Sequence, residues 1–231
     1  AMIFGGGTAT GATTELWNGV SWTEQNDLNT GRYGLAGAGS VYTDTIAFGG
    51  TNPSATVAST ENFNGSSWTE VNDLSTARYY LGGTGTGALA LAATGITATA
   101  QTTATEEWSF PSGPHLNEGD LFLSGGTALK GFGKAAGIPT ATWASSGNLN
   151  QARNILDAQN GTQSSSKASG GYPPGTDGLA NVEDYDGTSW SETTEMNTPR
   201  YSAAAAGANK DSALVFSGYN NTTPLASPGG S

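Results

Sequence analysis

Every arginine in the chain stands ten residues after a tryptophan. Arg32, Arg78, Arg153 and Arg200 are the full set, and they follow Trp22, Trp68, Trp143 and Trp190. The tryptophans are 46, 75 and 47 residues apart. Five residues before three of them stands an aromatic, Trp17, Phe63 or Tyr185, and seven before stands Glu15, Glu61 or Glu183. The third copy keeps the phrase "TEEW" (105–108), after which about 29 extra residues precede Trp143. A fixed period of this size means one supersecondary unit built several times over, each copy burying its apolar face against the next.

Each copy reads as four strands. A Gly- and Ala-rich segment follows the arginine ("RYGLAGAGS", "RYSAAAAGA"), as is needed where several sheets converge on an axis. An apolar run ending in glycine comes next: "MIFGGG", "TIAFGG", "LALAATG", "KASGGY" or "LVFSGY". The third strand carries the glutamate and its aromatic. Asn18-Gly19, Asn64-Gly65 or Asp186-Gly187 then turns the chain, as such pairs do in tight hairpins. The fourth strand carries the tryptophan. One four-stranded antiparallel sheet every 46 or so residues predicts a β-propeller.

In the order "GG", glutamate with an aromatic, tryptophan, arginine, the repeat resembles the Kelch repeat. The resemblance implies an all-β, Kelch-like propeller with binding at the loops of one face. It covers most of the chain and leaves out an insert. The expected organisation is 1–110 for the first blades, 111–142 for an insert hairpin, and 143–231 for further blades of the same ring. There are four arginine strands, four tryptophan strands and five glycine-ended strands, so the chain is expected to start and stop inside a blade and to form four or five blades. The Gly/Thr/Asn-rich phrases also resemble repeats of bacteriophage structural and tail-fibre proteins, and "EGDLFLSGGTALKGF" (118–132) resembles a hairpin of phage fibres.

Composition narrows the function. Charged residues make up only 12% of the chain, against about 25% in typical domains. With four arginines, four lysines and a net charge of −11, few phosphates can be neutralised, which argues against nucleic acid. No apolar run approaches the roughly 20 residues of a spanning helix, so no membrane insertion is expected. The start, "AMIFGGGTAT", has no basic n-region and reads as the middle of a strand. Cysteine is absent and His115 is the only histidine, so disulfides, thiolate chemistry, multi-histidine metal sites and Kelch-type copper oxidation are ruled out.

Scaffold residues must recur in every copy and site residues need not. The phased tryptophans and arginines are therefore read as structure, as are Glu15, Glu61 and Glu183. "DYDGTSW" (184–190) is similar to the Asp-box turn of sialidases, but Asp186 and Gly187 are adjacent where that motif separates them. Loop acids Asp44, Asp157, Asp177 and Asp211 form no D-x-D-x-D cluster for Ca²⁺. His115 reads as a surface loop residue. Lys130 and Lys134 lie beside Phe122 and Phe132 in the insert, which is read as a connector or a contact surface.

No catalytic residue, metal ligand or cofactor is expected. The reading is a non-enzymatic structural or adhesion module of a virion or another extracellular assembly. Its partners would be neighbouring subunits, copies of itself, or a surface glycan. Loops such as "TNPSATVAS" (51–59) and "GYPPGTDGLAN" (171–181) would present Tyr42, Tyr172 and Tyr219 as contacts. The alternative is a glycosidase or lyase on the same scaffold, which requires two loop carboxylates about 5–10 Å apart.

Overall fold

The computed structural model describes residues 1–7, 11–109, 121–124, 128–131, 141–154, 159–173, 178–220 and 223–224. Among these the one helical piece is the 3-10 turn Lys210–Ser212. The protein is all-β, built from antiparallel sheets of three to four strands laid down in chain order.

The first sheet has β1 (Met2–Phe4), β2 (Thr14–Trp17) and β3 (Trp22–Gln25). The second has β4 (Ala36–Val41), β5 (Asp44–Phe48), β6 (Thr60–Phe63) and β7 (Trp68–Val71). The third begins with β8 (Gly82–Gly85), β9 (Leu89–Ala93) and β10 (Thr105–Ser109). A separate two-stranded hairpin, β11 (Leu121–Ser124) and β12 (Ala128–Gly131), intervenes before β13 (Thr142–Ser146) returns beside β10. The fourth sheet has β14 (Gln159–Thr162), β15 (Ser165–Ser169), β16 (Val182–Tyr185) and β17 (Trp190–Glu192). The last pairs β18 (Ala204–Ala206) with β19 (Leu214–Phe216), and the short β20 (Tyr219–Asn220) and β21 (Thr223–Pro224) follow.

Register repeats with the sequence. Trp17 lies opposite Trp22, Phe63 opposite Trp68, Trp108 opposite Trp143 and Tyr185 opposite Trp190. The four phased tryptophans thus occupy one place on the outer strand of four successive sheets. The extra residues of the third copy fall between its two outer strands, where a connection can lengthen without disturbing either neighbouring sheet.

The Asn-Gly and Asp-Gly pairs sit in the turns between the third and fourth strands, as four-residue connections. Asn18 Oδ1 accepts from the N–H groups of Val20 (2.9 Å) and Ser21 (3.0 Å). Asn64 and Asp186 do the same for the residues two and three further on. The side chain imitates a backbone turn, and glycine one residue later takes the positive φ.

The inner strands β4, β8, β14 and β18 are successive neighbours. A Cβ on Gly83 of β8 would lie 2.9 Å from Ala36 Cβ and 2.8 Å from the Phe48 ring. Close approach of this kind is why the segment after each arginine is so poor in large side chains. Larger residues fill the space between sheets further out, as Phe48, Leu81 and Trp108 do around Ile46 and Ala90.

Two interlocking contacts join each sheet to the next. The first runs forward. Arg32, Arg78 and Arg153 lie in the links that enter β4, β8 and β14, and each is fully buried. Their guanidiniums pair with Glu61, Glu106 (2.7 Å) and Glu183 on the third strand of the sheet being entered. The second oxygen of each carboxylate accepts an N–H three residues before the arginine, from Asn29 (2.7 Å), Ser75 (2.8 Å) or Asn150 (2.8 Å). The arginine backbone meanwhile holds the sheet behind: the carbonyls of Arg32 and Arg78 accept from Gly6 (2.9 Å) and Gly50 (2.8 Å).

The second contact runs backward. Trp68, Trp143 and Trp190 donate Nε1–H to Thr14, Thr60 and Thr105 of the preceding sheet, at 3.0 to 3.1 Å. Large aromatic area and one satisfied polar atom are thereby buried together at each junction.

Candidate functional site: the tyrosine edge

The residue after each arginine lies three to five residues before an inner strand, beside the stretch that follows the second strand of the same sheet. Isolated bridges join these points: Tyr33 with Thr51, Tyr79 with Ile96, Asn154 with Tyr172, and Tyr201 with Tyr219. One edge of the sheets therefore collects tyrosines. Tyr172 packs edge-on against Tyr201 (centroids 5.3 Å apart), and Tyr201 stacks on Tyr219 (5.8 Å). Tyr33, Tyr79 and Tyr80 form a second group, with Tyr80 6.2 Å from Tyr33 and 4.9 Å from Tyr79. Amides lie beside the first group, where Gln101 Nε2 donates to Asn154 Oδ1 (2.6 Å) and to the Tyr172 carbonyl (3.1 Å).

Two of the three tyrosines predicted as contacts, Tyr172 and Tyr219, are thus brought together through Tyr201. Tyr42 is not with them. It sits in the β4–β5 turn, at the opposite end of β4 from Tyr33, and lines a cavity of about 970 Å³ beside Met2, Phe4 and Trp17. The sequence reading missed Tyr33, Tyr79, Tyr80 and Tyr201. A signal was available, since three of these four follow an arginine directly.

Tyr80 is the unusual member. Its φ is 50°, a left-handed conformation that a bulky side chain rarely adopts, and its ring is 36% exposed. Gly34 and Ser202 hold the same place after their arginines with φ of 62° and 49°. Burial, then the neighbouring Tyr33 and Tyr79, raise the Tyr80 phenol above its ordinary range. Strained exposed residues of this kind cluster at contact sites.

The carboxylates stand apart from that edge. Glu61, Glu106 and Glu183 are each consumed by an arginine and a link N–H. Burial lowers two of the guanidiniums against the raising effect of a nearby carboxylate, Arg153 to about 10 and Arg78 in the same direction. Glu107, next to Glu106, instead accepts from the Tyr185 and Ser146 hydroxyls between the third and fourth sheets. Burial first, and then Glu107, raise the Tyr185 phenol well above its ordinary value. Asp44 opens β5, and Asp211 lies in the 3-10 turn, where it pairs with Lys210 (2.7 Å). Among the described residues, no three acidic or histidine side chains are grouped to hold a metal. His115, Lys134, Phe132, Asp157 and Asp177 lie outside the described residues; of the expected insert the β11–β12 backbone, Ala141 and Thr142 are described, and Ala141 is buried in the core while Thr142 opens β13.

The class these features define is an all-β repeat protein whose antiparallel sheets are pegged by buried Arg–Glu pairs and edged with tyrosine. In fold it is similar to the solved structure titled "Structure of YjhT", with a TM-score of 0.70 at 12% identity. The match covers 98% of this chain and 76% of that one, and at this identity it speaks to the fold alone. No family model matches the chain, and no curated protein does.

Proposed function

We propose that the chain is a non-enzymatic adhesion module on a Kelch-like β-propeller, with its sheets as blades and residues 111–142 as an insert within one of them. It would serve in a virion appendage or another extracellular assembly and engage a surface glycan or a neighbouring subunit. The observation that carries this reading is the tyrosine edge: two aromatic groups, amides beside one of them, and one partly exposed ring at a strained backbone position. Tyrosine rings stack on sugar faces and bury area with little loss of rotamer freedom. Of the repeated glutamates, which a glycosidase would have to free, Glu61, Glu106 and Glu183 are held in buried ion pairs.

Binding of the chain to an array of neutral and acidic oligosaccharides, followed by calorimetry on the hits and a reducing-sugar assay, tests it. Binding without turnover is expected, weakened about tenfold or more by Tyr219→Ala or Tyr80→Ala, as for an aromatic anchor. Release of new reducing ends sinks the reading in favour of the enzyme.

A further inference from the structure

The pair Asn-Gly occurs three times, at 18–19, 64–65 and 160–161. Glycine has no Cβ to shield its own nitrogen, so in this pair the asparagine side-chain amide is open to attack by the backbone that follows it. The fold gives the three copies different surroundings.

Asn64 is exposed in the turn between β6 and β7. Its Oδ1 accepts from the N–H groups of Ser66 and Ser67, both at 3.0 Å. Among the described residues its Nδ2 donates to no acceptor, and neither does the Gly65 N–H. The turn thus fixes the carbonyl while leaving the attacking nitrogen and the departing amine free. When the Gly65 nitrogen adds to Asn64 Cγ, negative charge gathers on Oδ1, where two backbone donors already sit. Donors placed in advance at a developing oxyanion lower the barrier to its formation. Asn18 has the same two donors, with its Nδ2 3.4 Å from Ser21 Oγ.

Asn160 is the contrast. It lies in β14, 5% exposed, and its Nδ2 donates to the Asn209 carbonyl (3.3 Å). Its Oδ1 meets no donor among the described residues. The Gly161 carbonyl is held by the Thr84 hydroxyl (2.6 Å). The fourth sheet shows that an acid fits the turn. Asp186 Oδ1 accepts from Thr188 and Ser189, both at 2.9 Å, as Asn64 does from its own neighbours.

We infer that Asn64 and Asn18 are sites of spontaneous deamidation promoted by their turns, with water as the co-reactant, and that Asn160 is protected. The Gly65 nitrogen gives its proton to solvent and bonds to Asn64 Cγ. The Cγ–Nδ2 bond breaks and ammonia leaves, closing a succinimide ring. Water then adds to the ring: cleavage of the new Cγ–N bond gives aspartate, and cleavage of the original peptide bond gives isoaspartate. One water is consumed, one ammonia is released, and nothing is oxidised or reduced. The aspartate product reforms the turn already seen at Asp186. Each conversion adds one negative charge to a chain whose net charge is −11. For Asn64 that charge falls beside Thr43, at the end of the sheet away from Tyr33 and Thr51.

Incubating the chain in mildly alkaline buffer made with heavy-oxygen water, followed by peptide mapping by mass spectrometry, tests this. A parallel sample in concentrated urea supplies the rate set by sequence alone. In the folded chain the Asn64 and Asn18 peptides should take up heavy oxygen at least as fast as in urea. The Asn160 peptide should convert more than about tenfold slower than in urea, because β14 must first open. Isoelectric focusing should show matching acidic forms. Asn64→Asp should keep the wild-type melting temperature. Folding that slows Asn64 as much as Asn160 overturns the inference, and so does an Asn160 that converts as fast as Asn64 in the folded chain. An Asn64→Asp chain that melts well below wild type overturns the claim that the turn accepts its product.

Discussion

Arg78 shows what a single residue does in this design. Its carbonyl is fixed to Gly50 of the sheet behind, and its guanidinium to Glu106 and the Ala104 carbonyl of the sheet ahead. A lysine keeps the charge but cannot reach both acceptors with one planar fork. Arg78→Lys is expected to lose about 1–3 kcal/mol in urea denaturation, the scale of lost charge-assisted hydrogen bonds. Unchanged stability would show that the guanidinium geometry is not what holds the junction. Asp186 offers a milder test. Backbone N–H groups of Ser189 and Thr188 hold its carboxyl below the ordinary aspartate range. A depressed folded pKa means stability that is present above the unfolded pKa and lost as pH falls through the folded one. Asn18 and Asn64 make the same turn uncharged, so Asp186→Asn should leave neutral-pH stability nearly unchanged and flatten the acid-side decline in melting temperature. An unaltered acid profile would show that this carboxylate does not govern it.

At the scale of a strand, the end of each glycine-terminated run matters most. Gly49, Thr94, Gly170 and Ser217 hold one position with φ between 59° and 71°. Thr94 is the misfit, a fully buried β-branched residue in the left-handed region whose hydroxyl finds no partner among the described residues. Left-handed geometry costs a β-branched residue on the order of 1–2 kcal/mol, and glycine takes it freely. Thr94→Gly should therefore raise stability by about 1 kcal/mol, read as an upward shift of the melting temperature, whereas Gly49→Ala should lower it. A Cβ on Gly49 would sit 2.7 Å from the Arg78 carbonyl. No gain from the first change would mean that the Thr94 methyl fills space worth more than the strain. The strands were legible because their signals are local: a glycine pair closes one, an Asn-Gly turn joins two, and tryptophan marks the outer edge. The glutamate phase was also visible, and with it the conclusion that these acids are scaffold. Partner choice was not visible. The phase of a glutamate two residues before the aromatic singles out Glu106 in "TEEW", but nothing there says that Glu107 turns to Tyr185, because that depends on which face of β10 meets which neighbour. The tyrosine edge stayed half hidden for the same reason, since Tyr201 joins Tyr172 to Tyr219 only once two sheets are side by side.

Across the whole molecule, both locks act between adjacent sheets and neither passes through the connection between the two outer strands. That connection is four residues long in the second sheet (64–67), and in the third it contains the insert. Replacing residues 109–142 with Asn-Gly-Ser-Ser should keep Trp143 opposite Trp108 and leave the far-ultraviolet circular dichroism and melting temperature close to wild type. Loss of folding would show that the insert is part of the scaffold. The same locks have a direction in time. Along the chain Arg32, Arg78 and Arg153 come 29, 28 and 30 residues before their glutamates. During synthesis each arginine is made before its carboxylate and emerges from the ribosome ahead of it, so a junction cannot set until most of the following sheet has emerged. Folding is then expected to trail translation by about one sheet, with the newest arginine still in water at every moment.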